Sequence, residues 1–197
     1  MRKATAHLKK ADPVLGSIIE RAGPFRIQYR DPDFSSLARA IVFQQLNGKA
    51  AGTIFERFLA LTGGRLTPQA VLRIPPAKLR KAGLSAQKAS YLRDLARQTA
   101  GGAIRFDRLA SMPDEEVIQI LTQVKGVGVW TAHMFLIFGL RRPDVLASGD
   151  YGVRAAVKKA YALEELPAPA EVERMGARWR PWASVACWYL WRSLEFR

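Results

Sequence analysis

Two glycines and one acid open the chemical reading of this chain. In Val124-Lys125-Gly126-Val127-Gly128-Val129-Trp130-Thr131-Ala132, a Gly-x-Gly turn separates a polar helical segment from an apolar one that runs from Val129 to Leu140. Glycine permits φ > 0 and lets another chain come close. The free N–H groups at a helix start attract an anion. Residues 126–131 therefore read as a socket for one phosphate. Twenty residues after Trp130 stands a lone acid, Asp150, in Leu146-Ala147-Ser148-Gly149-Asp150-Tyr151. Gly-Val-Gly alone reads equally well as a helix–helix turn, so the rest of the chain decides.

The elements that must position these residues read as helices nearly throughout. Asp12-Pro13 is a cap followed by proline at the first helical position. Val14, Leu15, Ile18 and Ile19 then share a face, and Gly23-Pro24 stops the helix. Residues 25–32 alternate apolar and polar, but a lone strand has nothing to pair with, so they read as an extended linker. Asp33 or Ser35 caps a helix carrying Leu37, Ala38, Ile41, Val42 and Phe43. The next, Lys49 to Leu61, is expected to bury Ile54, Phe55, Phe58 and Leu59. Thr67-Pro68, Pro76 and Ser85 start three more, the last with Tyr91, Leu92 and Leu95 inward. Asp107 is expected to cap a short turn, and Pro113 begins the helix Asp114 to Thr122. Asp150 has the character of a residue at the start of a helix reaching about Ala160. Pro167 and Pro169 begin another, and Pro181 opens a last helix running to the C-terminus. The expectation is an all-α fold of about ten short helices. It forms two packed lobes with a cleft between them, where ligands tend to bind. Residues 34–140 form a central lobe carrying the hairpin, and residues 1–33 plus 141–197 form the second.

Charge supplies the partner class. Lys and Arg number 31 against 17 Asp and Glu, a net +14, which points to a polyanion: nucleic acid first, an anionic membrane surface second. The longest apolar run, Val129 to Leu140, contains His133 and is too short for a membrane span. Met1-Arg2-Lys3 is not followed by the apolar stretch of a signal peptide. Cys187 is the only cysteine, which excludes an intrachain disulfide, a thiolate zinc site and a four-cysteine iron–sulfur cluster. It reads as a small core residue of a protein from a reducing cytoplasm.

Four blocks resemble the helix-hairpin-helix (HhH-GPD) DNA glycosylase superfamily, and within it the 3-methyladenine DNA glycosylase II branch. They are Leu37 to Ala51 around Gln44-Gln45-Leu46, Gly83 to Leu92, the hairpin with its downstream acid from Val124 to Asp150, and Trp179-Arg180-Pro181-Trp182 running to Trp191. Members that also cleave the strand place a lysine where this chain has Trp130, so no Schiff base with the sugar is expected. Departures are visible as well. Lys125 stands where the family usually has proline, Gly149 where a bacterial member has a second acid, and Met134 where that member has a pocket aromatic. That member also carries an N-terminal β-rich region, for which no counterpart is expected here.

The resemblance implies a monofunctional enzyme of base excision repair. It would hydrolyse the N-glycosidic bond of alkylated purines of the 3-methyladenine and 7-methylguanine type after flipping the base. Asp150 would stabilise the oxocarbenium-like sugar, with water as the nucleophile. Trp130, Trp191, Met134 and Phe43 would line the base pocket, where aromatic faces attract a cationic ring. Gln45 or Leu46 would fill the gap left in the duplex. Gly126 and Gly128, with Thr131 and Lys125, would bind the phosphate. Backbone carbonyls of Thr122, Val124 and Val127 would hold a structural Na+ or K+, and no other cofactor is expected. The partner is double-stranded DNA, met by a monomer in the cytoplasm at the nucleoid, with no membrane. Two other readings stay open. One is a non-catalytic hairpin module that only binds DNA. The other is a glycosylase of the same fold for a neutral damaged base such as hypoxanthine, ethenoadenine or uracil.

Overall fold

The computed structural model describes residues 1–196. Among them the chain forms thirteen α-helices and no strand. The first seven are α1 (Arg2–Ala11), α2 (Pro13–Ala22), α3 (Phe34–Phe43), α4 (Gly48–Leu61), α5 (Pro68–Arg73), α6 (Pro76–Lys81) and α7 (Ala86–Ala100). There follow α8 (Phe106–Leu109), α9 (Asp114–Thr122) and α10 (Val129–Met134), which passes directly into a π-helical turn, Phe135–Gly139. The last three are α11 (Tyr151–Ala160), α12 (Pro169–Gly176) and α13 (Ala183–Ser193), with a 3-10 turn, Ala177–Trp179, after α12. The all-α expectation holds. No helix among the described residues is long and apolar enough to cross a membrane.

Local chemistry accounts for many of the starts. Asp12, Asp33, Asn47, Thr67, Ser85 and Asp150 each accept a hydrogen bond from an amide three residues on, which satisfies one donor that the helix itself cannot. Proline occupies the first turn of α2, α5, α6 and α12, where its missing N–H costs nothing.

The chain divides into two compact units, Arg30–Phe135 and Met1–Tyr29 with Leu136–Arg197. In the Arg30–Phe135 unit, α7 is the spine: α3, α5 and α6 pack on it, and Leu92, Leu95 and Ala96 are buried. In the other unit, α13 packs on α2 and α11, and nearly all of it is buried, from Ala183 to Leu190. Cys187 is fully buried there, as the sequence suggests. Burial pushes its thiol up to about 12.

Several expectations are corrected. The segment Arg2–Ala11 is a helix with no side-chain cap to announce it in the sequence. Val14 faces outward, while Leu15, Ile18 and Ile19 are buried. In α4 only Ala51 and Phe58 are buried, with Ile54, Phe55 and Leu59 partly covered. Asp107 lies inside the first turn of α8 and pairs with Arg105, so it does not cap that turn from outside. The last helix begins at Ala183, two residues after Pro181, and ends at Ser193.

Candidate active site

The hairpin lies in the Arg30–Phe135 unit, between α9 and α10. Val127 N–H donates to the Val124 carbonyl at 3.0 Å, and Gly126 sits at φ +79°, where a side chain is strained. Space also forbids a side chain there: a Cβ at position 126 would stand 2.0 Å from Tyr91 Cδ2. The Tyr91 ring is thus the floor of the turn. Gly128 precedes the first helical residue of α10 and offers no side-chain cap, so the first amides of α10 have no such partner from it. Gly126, Gly128 and Lys125 are exposed.

Further along α7, Asp94 accepts the Lys125 backbone N–H at 3.0 Å, and Gln98 donates to the Gln123 carbonyl at 3.0 Å. Burial pushes the Asp94 carboxyl up. Hydrogen bonds from the Lys125 amide, Gln98 and Arg97 outweigh that and hold it below the usual carboxylate range. Thr131 is buried, and its hydroxyl accepts from Gln44 Nε2 at 3.4 Å, while the same amide nitrogen donates to the Gly126 carbonyl at 2.9 Å. Gln44 is therefore a cross-brace between the end of α3 and the hairpin, a role the sequence reading did not give it.

Phe43, Trp130 and Met134 line one cavity of about 590 Å³ in this unit, together with Gln44, Gln45 and Tyr91. Trp130 is 49% exposed, high for an indole that would otherwise be core. The Arg39 guanidinium lies over the Phe43 ring, 3.6 Å from its centroid. Gln45 takes φ +55°, uncommon outside glycine, and Leu46 beside it is 40% exposed.

Asp150 and Trp191 lie in the other unit. Asp150 caps α11, its Oδ1 accepting Val153 N–H at 2.8 Å. The same oxygen accepts the Trp191 indole N–H at 2.7 Å. Trp191 in turn stacks on Phe138, with ring centroids 5.8 Å apart and 22° between planes. The structure thus gives Trp191 a contact the sequence does not reveal: it holds the carboxylate. Gly152 is a second missed residue. A Cβ there would stand 3.0 Å from Asp150 Oδ1 and 3.0 Å from Trp191 Cδ1. A carboxylate fixed by two donors, at the rigid start of a helix and partly exposed, suits the stabilisation of a nearby positive charge.

Known proteins share the sequence family and the fold of this chain. The HhH-GPD superfamily of base excision DNA repair proteins matches residues 38–181. DNA-3-methyladenine glycosylase 1 of Schizosaccharomyces pombe is 32% identical over 98% of this chain and 87% of its own length. The solved structure of an S. pombe 3-methyladenine DNA glycosylase in complex with abasic DNA superposes with a TM-score of 0.89, covering 98% of this chain and 97% of that one, at 32% identity. A DNA-3-methyladenine glycosidase from Bacillus halodurans gives the same TM-score at 36% identity, over 98% of this chain and 89% of its own. The chain belongs to the HhH-GPD superfamily of base excision DNA repair proteins, in its 3-methyladenine DNA glycosylase branch.

Proposed function

We propose that this protein is a monofunctional DNA glycosylase that releases alkylated purines, of the 3-methyladenine and 7-methylguanine type, from double-stranded DNA. The observation that carries the reading is the carboxylate of Asp150, fixed on Oδ1 by Trp191 and Val153 in a chain whose relatives bear that activity in their names. The alkylated base is cationic and leaves readily. As the C1′–N bond breaks, its electron pair returns to the base and neutralises the ring. The sugar becomes oxocarbenium-like, and the Asp150 carboxylate stabilises that charge. Water oxygen then bonds to C1′, and its proton passes to the carboxylate or to solvent. Trp130 stands where strand-cleaving relatives have an amine, so the reaction ends at the abasic site.

The anchoring half of the function falls to the hairpin. The Gly126 and Gly128 amides face a strand phosphate, with the exposed Lys125 ammonium adding charge. Thr131 supports this socket from within, where it is buried and its hydroxyl oxygen accepts from Gln44. The carbonyls of Thr122, Val124 and Val127 are hard oxygen donors of the kind that suit Na+ or K+. Val124 spends one lone pair on Val127 N–H and retains a second. An ion held there would screen the phosphate. Phe43, Trp130 and Met134 receive the base, Trp191 acts through Asp150, and Gln45 or Leu46 fills the duplex. The protein works as a monomer on chromosomal DNA in the cytoplasm.

The test is release of free bases from methylated duplex DNA, with the products identified by mass. Release of 3-methyladenine and 7-methylguanine with the strand left intact supports the reading. Tight binding with no base released would reduce the protein to a DNA-binding module. Release of hypoxanthine or ethenoadenine alone would move it to neutral bases.

A further inference from the structure

The block from Gly83 to Leu92 carries no chemistry of its own, yet its residues reach both DNA-facing segments of their unit. Lys88 Nζ donates to the Val42 carbonyl and to the Gln44 carbonyl, each at 2.6 Å. These two oxygens belong to the C-terminal end of α3, where unpaired carbonyls and the helix dipole gather negative charge. α3 itself has no basic residue in its last turn, so α7 supplies the cation from outside. The next residue, Gln45, is the one at φ +55°, and Leu46 follows it into solvent. On the same stripe of α7, at helical spacing, Tyr91 lies under Gly126 and Asp94 holds the Lys125 amide. Gln44, whose carbonyl Lys88 holds, sends its side chain to the Gly126 carbonyl.

We infer that Lys88 is a positioning residue for base flipping: its ammonium locks the Val42–Gln44 turn and so presents Gln45 and Leu46 to the duplex in fixed register with the phosphate-binding hairpin. The inference rests on the glycosylase reading but adds to it a residue that lines the same cavity while its ammonium is spent on two backbone carbonyls. Both oxygens are backbone carbonyls, so their recognition is of a conformation and not of a side chain. A flexible turn would have to be ordered at the moment of insertion. Lys88 removes that cost in advance. Burial lowers the Lys88 pKa, in keeping with an ammonium held away from water.

The experiment uses Lys88→Met, which keeps the length of the chain and removes the charge, and Lys88→Arg, which restores a donor. Flipping is followed by the fluorescence of 2-aminopurine placed beside the lesion, and excision by single-turnover release of 7-methylguanine. Lys88→Met is expected to slow flipping and excision together by at least tenfold on a fully paired duplex. The deficit should shrink on a mispaired lesion, where unstacking is cheaper. Affinity for undamaged duplex should stay within about twofold, and Lys88→Arg should recover part of the flipping rate. Two results would overturn the inference while leaving the glycosylase reading intact. One is a Lys88→Met protein that flips and excises like the parent. The other is a deficit of equal size on paired and mispaired lesions, which marks a general structural loss. Failure of the unsubstituted protein to excise any base would fall on the functional reading instead.

Discussion

Trp191 donates its indole N–H to Asp150 Oδ1 at 2.7 Å, on the same oxygen that takes the Val153 amide. Two donors converging on one carboxylate oxygen fix its orientation before any substrate arrives. Trp191→Phe keeps a ring to stack on Phe138 and removes only the bond. A hydrogen bond to a charged group contributes about 1.5–3 kcal/mol, so single-turnover excision should fall by roughly 10- to 100-fold. Binding to abasic-site DNA should change little. Unaltered excision would show that the indole does not orient the acid.

Gly152 offers a way to separate stability from activity. Alanine in a helix is ordinarily better than glycine by about 0.5–1 kcal/mol. Here its methyl group would press on Asp150 Oδ1 and Trp191 Cδ1, each 3.0 Å away. Gly152→Ala should therefore unfold at the same temperature or higher while excising several-fold more slowly. Thermal melts and excision rates measured on one preparation would decide it.

Gly126→Ala should damage the DNA anchor instead. The substitution meets both the positive φ and the Tyr91 ring at 2.0 Å. A left-handed conformation alone costs a non-glycine residue about 1–2 kcal/mol. Affinity for duplex DNA should drop at least tenfold at fixed salt. Adding Tyr91→Ala should restore part of it, because the clash is relieved and the backbone strain is not. Full recovery in the double variant would mean that φ does not matter at this position.

Acid stability is expected to rest on Asp12. It is only 1% exposed and accepts from the Trp179 indole at 2.8 Å, from the Tyr161 hydroxyl and from the Leu15 amide. Burial pushes its carboxyl up. The hydrogen bonds and the Arg178 charge outweigh this and leave it below the ordinary range. A depressed carboxylate contributes stability that is present above the unfolded pKa of about 3.9 and is lost as pH falls through the lower folded value. Asp12→Asn should unfold more easily than the parent at pH 7, and the gap should narrow below about pH 4. Urea titrations at both pH values check this. A gap that persists in acid would assign the difference to packing and not to charge.

What the sequence made legible follows physical range. Asp12, Asp33, Ser85 and Asp150 could be read as caps because a cap and its amide are three residues apart. The hairpin glycines were legible for the same local reason. Helix α1 is not legible because its buried side is only Ala4 and Leu8, too thin a stripe to stand out among lysines. Asp107 stands two residues past the cap position of α8, and an acid in a first turn and an acid at a cap look alike in sequence. Lys88 on the Gln44 carbonyl spans 44 residues, and Trp191 on Asp150 spans 41. Nothing local encodes such pairs, so the residues could be noticed while their partners could not.

Asp150→Asn tests the central claim most directly. Asparagine keeps the shape and an oxygen to cap α11 and meet Trp191, but it lacks the negative charge that the sugar cation requires. Excision of 7-methylguanine from methylated duplex DNA should fall by at least a hundredfold, with thermal stability and affinity for abasic DNA nearly unchanged. Normal excision by this variant would contradict the account, because the carboxylate would then have no part in breaking the bond.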